Sequence, residues 1–402
     1  MAIEYPFASD YVYLDYAATA PFCEEAAEAM QPYLQPGRTS IAYQGNANSL
    51  YTAGRDAFSA LEAARKRLAQ SLGAKRPDEI IITSGATEAD NAALLGLTQA
   101  LLEKRRLRGE KATPHVIVSA IEHDAVLAPA KRLGALGFEV TKLMPDRQGF
   151  IEVSTLGAAL RDSTVLVSVQ MANSEVGSIQ PIQELASVAH ERGSFFHTDA
   201  TQALGKMPLN LETLDVDAAS FSAHKIGGPK GVGALYLKSR TPFSPFMFGG
   251  GQELGRRSGT QNVAGVIGFA AAAEAAQIRQ ADEANRLREL RDYLYSSLAA
   301  LDGIEPTVEV EAGSQDFLPN IVHALVDDLE SETLILRLDS LGFAVSGGSA
   351  CSSHSLEPSH VLKALGISDD KAHGALRVSM GRYTTADDVR AFIEALPRAM
   401  SW

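Results

Sequence analysis

The 402-residue sequence predicts an α/β protein: a large domain on a mostly parallel seven-stranded sheet flanked by helices, followed by a smaller α+β C-terminal domain. Two features carry this expectation. Between Tyr11 and Leu237, short apolar runs alternate with segments whose apolar residues recur at helical spacing, as a parallel sheet with crossover helices requires. Beyond Gly249-Gly250-Gly251 that alternation stops, and a long helical run begins near Val263.

In chain order, strands are expected at 79–83, 115–119, 138–143, 164–170, 194–197, 216–221 and 232–237. Helices are expected between them at 55–72, 87–107, 125–136 and 181–192. The turn joining the last two strands is too short for a crossover helix, so 232–237 is expected to run antiparallel. After a helix over 263–298, strands at 320–326 and 344–346 and a basic-apolar segment at 375–379 suggest the small domain. The expected division is 11–262 for the large domain and 263–402, joined by residues 1–10, for the small one.

A hydrophobic content of 46% suits a globular chain with ample core, and a net charge of -13 argues against a general nucleic-acid binder. The dense basic run Lys104-Arg105-Arg106-Leu107-Arg108 is expected to cover a helix end, where cations offset the dipole. Residues 1–20 lack a basic start followed by an apolar core, and no uncharged stretch reaches the roughly eighteen residues of a membrane helix. A cytoplasmic protein without a membrane partner is the expectation. Two cysteines, Cys23 and Cys351, allow one disulfide at most, so each thiol is judged by its setting.

The chemistry centres on Lys225, in Ser222-Ala223-His224-Lys225-Ile226-Gly227-Gly228-Pro229-Lys230-Gly231, where an expected strand meets a glycine-rich turn. An amine partly desolvated there suits Schiff-base formation. About one strand-helix unit upstream, Asp199 ends another apolar run. Pyridoxal phosphate (PLP) needs such a pair: a lysine for its aldehyde and a carboxylate that keeps its ring nitrogen protonated. Neighbouring strands would bring both residues to one crevice.

A single phosphate finds a cradle at Ser84-Gly85-Ala86-Thr87-Glu88, where the strand 79–83 gives way to a helix and backbone N–H groups point outward. No dinucleotide or nucleoside-triphosphate fingerprint is present. Ser222 and His224 flank the lysine and offer further donors to a phosphate; Gln202 is placed to donate to the ring hydroxyl. His123, after the strand 115–119, is expected to lie against the ring face and to move protons. Cys351 sits in Ser346-Gly347-Gly348-Ser349-Ala350-Cys351-Ser352-Ser353-His354-Ser355-Leu356-Glu357-Pro358, a polar stretch that reads as a mobile exposed loop. Thiolate is a strong nucleophile even as a minor species, so this cysteine is a candidate; Cys23 has no comparable case.

These segments, with Tyr13-Leu14-Asp15, Glu122-His123, the run from Gly249 to Thr260, and Leu356-Glu357-Pro358-Ser359-His360, resemble the cysteine desulfurases of the nitrogen-fixation and iron-sulfur-cluster type. Those are class V, fold type I PLP enzymes, and the resemblance covers nearly the full chain. It implies that Lys225 carries PLP as an imine, Asp199 binds the ring nitrogen, His123 stacks on the ring, and Thr87, Ser222 and His224 hold phosphate. It also implies a homodimer in which Thr260 reaches the partner's phosphate. The expected reaction takes sulfur from L-cysteine, held through its carboxylate by Arg377, and leaves alanine and a persulfide on Cys351. Delivery to an acceptor protein follows, either an iron-sulfur scaffold or a tRNA sulfur carrier. Two departures bear on substrate grip: Ser174 in Asn173-Ser174 stands where the family usually has a second asparagine, and Tyr51 where a histidine is common. Two alternatives stay open, a related PLP enzyme (selenocysteine or cystine lyase, or aminotransferase) and a non-enzymatic carrier using Cys351, His354 and His360.

Overall fold

The computed structural model describes residues 11–38, 43–107, 109, 112–348 and 358–401; Cys351 and His354 lie outside them. Twelve strands occur among these residues: β1 Val12–Tyr13, β2 Ile80–Thr83, β3 His115–Ser119, β4 Glu139–Leu143, β5 Thr164–Ser168, β6 Phe195–Asp199, β7 Ala218–Ser222, β8 Gly233–Leu237, β9 Ile304–Pro306, β10 Ile321–Val326, β11 Phe343–Ala344 and β12 Ala375–Ser379. β2 to β8 form one sheet in the order β2-β8-β7-β6-β5-β3-β4. All seven expected strands are there. β8 runs antiparallel to both neighbours while every other pairing is parallel, as the short turn before it requires.

The sheet is covered on both faces, which is why its central strands read as near-continuous apolar runs. β3, β5, β7 and β8 are buried at every position, whereas the edge strand β4 exposes Glu139 and Lys142. Alternation along β2 assigns side chains to the two faces. Ile80 and Ile82 pack with Leu61, Leu68, Leu185 and Phe269; Ile81 packs with Leu94, Leu97, Val126 and Leu133 on the opposite side. Each fully buried leucine here contributes roughly 1.5–3 kcal/mol of transfer free energy. The helical periodicity over 87–107 becomes Ala86–Asn91, one wider π turn at Ala92–Gly96, and Leu97–Leu107 without a break.

The helix Val263–Leu298 serves two cores: Val266, Phe269 and Ala270 join the large-sheet core, and Leu287, Leu294 and Leu298 join a second one. That second core includes Leu14, Val322, Leu376 and Phe392 around an antiparallel sheet ordered β12-β10-β9. β1 pairs in parallel with β11, so residues 12–13 lie on C-terminal elements. β1 and β9 have only two and three residues, too few to show periodicity in the sequence. Among the described residues, no helix is long and apolar enough to cross a membrane.

Candidate active site

Because β3, β5, β6 and β7 run the same way, their carboxyl ends open onto one crevice. β6 and β7 are neighbours with Asp199 opposite Ser220, which brings the acid that ends β6 beside the turn carrying Lys225. A cleft of about 560 Å³ results. Ala86, Thr87, His123, Ser174, Asp199, Gln202, Ser222, His224, Lys225 and Arg377 all line it. Asn173 does not: its amide donates to the Ile121 carbonyl and accepts from the N–H groups of Glu175 and Val176, which fixes the turn behind the wall. Thr260 is exposed outside the cleft.

Lys225 Nζ donates to the carbonyls of Ala17 (2.6 Å) and Ala18 (2.8 Å), which anchors the amine against the N-terminal segment. Gln202 Nε2 donates to the same Ala17 carbonyl at 2.9 Å. Asp199 is buried, and its Oδ1 accepts from the Thr201 N–H at 2.9 Å. His123 begins the helix Asp124–Ala135, its Nδ1 accepting from Ala125 N at 3.1 Å; the neutral ring therefore carries its proton on Nε2.

Three carboxyls lie near this end of the sheet. Burial, with Asp199 adding repulsion, pushes Asp90 well above the usual carboxylate range and Glu122 up to about 8. Between β5 and β7, His197 bonds Ser168 at 2.8 Å and Ser220 at 2.9 Å, and burial pushes it down to about 3.

At the anion cradle, Glu88 accepts from the Ser84 N–H and takes both ends of the Arg257 guanidinium at 2.7 and 3.0 Å. This ties the loop before Thr260 to the start of the helix. β8 approaches so closely that a Cβ at Gly233 would stand 2.6 Å from the Gly85 carbonyl carbon and 2.5 Å from the Phe221 oxygen. His224 accepts or donates at Thr19 Oγ1 (3.1 Å), and burial, with Lys225 and Lys230, pushes it down to about 4, so it meets an anion as a neutral ring. Lys230 supplies the exposed positive charge on that side.

Arg377, on β12, is buried; its Nη2 pairs with Asp15 at 2.8 Å and its Nη1 donates to the Ser174 carbonyl at 3.0 Å. Its buried Nε has no hydrogen-bond partner among the described residues, a donor left for a ligand in the cleft. The segment that contains Cys351 is rooted beside this arginine. Ser346 exchanges backbone bonds with Arg377, and Ser359 donates to Glu175 Oε2 at 2.7 Å. His360 bonds the Glu122 carbonyl at 2.9 Å, and no cluster of three metal-binding side chains occurs among the described residues. Cys23 is buried, and burial pushes its thiol up, away from reactivity.

Sequence reasoning gave no role to Asp15, Thr19, Asp90, Lys206 or Lys230. Asp15 ends Tyr13-Leu14-Asp15 and Lys230 lies in the turn after Lys225; Lys206 carries no local signal of its own.

The fold and the cleft define a PLP enzyme of fold type I. An amine, a carboxylate, a flat imidazole and a helix-start cradle stand in one cavity, and the orphan Arg377 donor suits a substrate carboxylate. Residues 12–392 match the Aminotransferase class-V family, and the chain belongs to it. The cysteine desulfurase IscS of Dictyoglomus turgidum is 44% identical over 387 residues, covering 96% of this chain and 94% of that protein. Cysteine desulfurase IscS of Methanosarcina thermophila is 41% identical, with coverage of 96% and 91%. Among solved structures, a NifS-like protein superposes with a TM-score of 0.87 at 35% identity, covering 97% of this chain and 99% of its own.

Proposed function

We propose that this protein is a PLP-dependent cysteine desulfurase that moves the sulfur of L-cysteine onto Cys351 and releases L-alanine. The observation that carries the reading is Lys225, Asp199, the Ser84–Glu88 cradle and Arg377 meeting in one cleft of a chain 44% identical to a cysteine desulfurase. PLP, when bound, supplies an aldehyde that condenses with amines and a ring that withdraws electrons. Lys225 is the residue to hold it covalently, Asp199 to pair with its ring nitrogen, His123 to lie on its face, and Ala86, Thr87, Ser222 and His224 to meet its phosphate.

Arg377 orients the cysteine carboxylate through Nε and its remaining Nη hydrogens. Lys225 takes the proton from the substrate Cα, and His123 holds a proton at Nε2 beside the sulfur. Cys351 follows Gly348 by three residues, a tether of about 11 Å at most. Its thiolate attacks the substrate sulfur: an S–S bond forms, the C–S bond breaks, and its electron pair goes to the carbon, which gains a proton to become alanine. The sulfur remains as a persulfide for a protein acceptor, an iron-sulfur scaffold or a tRNA sulfur carrier.

The working unit is a homodimer. Leu50, Tyr51, Phe248 and Leu254 are exposed on segments that approach one another where Asn48 bonds Gln261 at 2.9 Å, next to Thr260. Thr260 is the residue to reach the partner's phosphate. A monomeric mass in solution for fully loaded enzyme would rule this out.

The deciding experiment combines visible spectroscopy with alanine assay and peptide mass spectrometry. L-Cysteine should alter the spectrum, yield alanine and add one sulfur to the Cys351 peptide, and borohydride should fix the cofactor on Lys225. Cys351→Ala should keep the spectral response and lose sulfur transfer. Unchanged sulfide and alanine production in that variant would point to a lyase instead.

A further inference from the structure

Behind Lys225, on the side away from the Ser84–Glu88 cradle, lies a second cavity of about 70 Å³ into which Lys206 projects. Lys206 is half-buried, and its ammonium donates to Gln202 Oε1 at 2.6 Å. No carboxylate offsets it among the described residues; the charges that bear on it are those of Lys225 and Arg377, both of its own sign. Burial, with these two cations, pushes Lys206 down to about 7. A partly buried ammonium without a counter-ion is disfavoured, and Lys206 therefore gives up its proton more readily than a free lysine. Its backbone is held in place: a Cβ at the preceding Gly205, whose φ is 73°, would stand 2.8 Å from Ala276 Cβ on the long helix.

The bond to Gln202 has a directional consequence. The Lys206 side chain donates to the amide oxygen, and in its ammonium form it can only donate. The amide nitrogen is fixed in turn by the Ala17 carbonyl, which also accepts from Lys225. With Lys206 charged, Gln202 cannot rotate its amide by half a turn without losing both bonds, and with Lys206 neutral it still loses the one to Ala17; it keeps one N–H for the cleft it lines.

We propose that Lys206 is a positioning residue: it locks Gln202 so that a hydrogen-bond donor, and not a carbonyl, faces the ring oxygen of the bound cofactor. This rests on the cofactor reading above. Lys206, Gln202, Ala17 and the free amine of Lys225 form one chain of contacts. The negative charge that the cleft receives on loading offsets the three neighbouring cations.

The test uses the full chain, stripped of cofactor and reloaded with PLP, in the wild type, Lys206→Met, Lys206→Arg, Gln202→Leu and the Lys206→Met/Gln202→Leu double variant. The readouts are the PLP dissociation constant and the pH midpoint of the absorption band of the bound cofactor. Lys206→Met and Gln202→Leu should each weaken PLP about tenfold and shift the midpoint. The double variant should be no worse than either single one, and Lys206→Arg should stay within about threefold of wild type. Additive losses in the double variant, or a Lys206→Met protein that only melts earlier while affinity and midpoint hold, would overturn the proposal. If Lys206→Met does not fold, a Lys206→Arg protein that binds and titrates like Gln202→Leu overturns it equally. Wild-type protein that binds no PLP would sink the cofactor reading itself and this inference with it.

Discussion

Replacing Arg377 by lysine tests the substrate site most directly. The guanidinium has five N–H donors; one meets Asp15, one the Ser174 carbonyl, and Nε lies buried without a partner among the described residues. A lysine keeps the charge but has three donors on one atom, two of which the Asp15 and Ser174 oxygens would take. The substrate carboxylate then loses a planar two-bond grip, each bond being charge-assisted and worth roughly 1.5–3 kcal/mol. A net loss of about 3 kcal/mol corresponds to about a hundredfold fall in kcat/KM for L-cysteine, expressed mainly in KM. The assay is alanine formation across cysteine concentrations, beside a spectral titration with cysteamine, which keeps the amine and thiol but lacks the carboxylate. Binding of cysteamine should change by less than about threefold, roughly 0.7 kcal/mol. An equal loss for both compounds, in a protein with normal cofactor content and melting temperature, would refute the carboxylate assignment.

Three further outcomes follow from the packing around the cleft. Glu253 takes Arg65 through two bonds of 2.6 and 2.9 Å and also accepts from Ile82 N, all buried, so Glu253→Gln should cost about 3–5 kcal/mol in denaturant unfolding; a change under about 1 kcal/mol would contradict this. Gly233→Ala should displace the cradle and weaken PLP about tenfold at near-normal fold, since its Cβ meets backbone on two sides; unchanged PLP affinity would refute the close approach. Glu122 binds its proton up to about 8 in the fold but, at the ordinary value of 4.5, releases it in the unfolded chain. Between those values the native state holds more protons, so wild-type stability should fall as pH rises from about 4.5 to 8, and Glu122→Gln should remove that part of the slope. Parallel unfolding curves of the two proteins at pH 5 and pH 8 would show the carboxyl to titrate normally.

Much of the architecture was legible because buried parallel strands must be apolar throughout and their crossover helices amphipathic, two periods that a sequence displays directly. Asp199 and Lys225 were legible for a related reason: strands such as β6 and β7 end in polar residues where the crevice opens. The short β1 and β9 were not, since two or three residues carry no period. The sequence named both Asn173 and Ser174 as substrate-binding candidates; the turn geometry spends the Asn173 amide on backbone groups and leaves Ser174 at the wall.

By itself the sequence determined the succession of strands and helices of the large sheet, its antiparallel last strand and the residue types that a PLP enzyme requires, because these depend on local periodicity and on chemistry carried within short segments. Tertiary structure decided what depends on approach through space: that Asp15 pairs with Arg377 at the cleft wall, that Lys206 reaches Gln202 from a second cavity, and that burial beside two lysines keeps His224 uncharged. Desolvation and pairing between residues as far apart as Asp15 and Arg377 arise only when distant segments pack, and no local pattern encodes them.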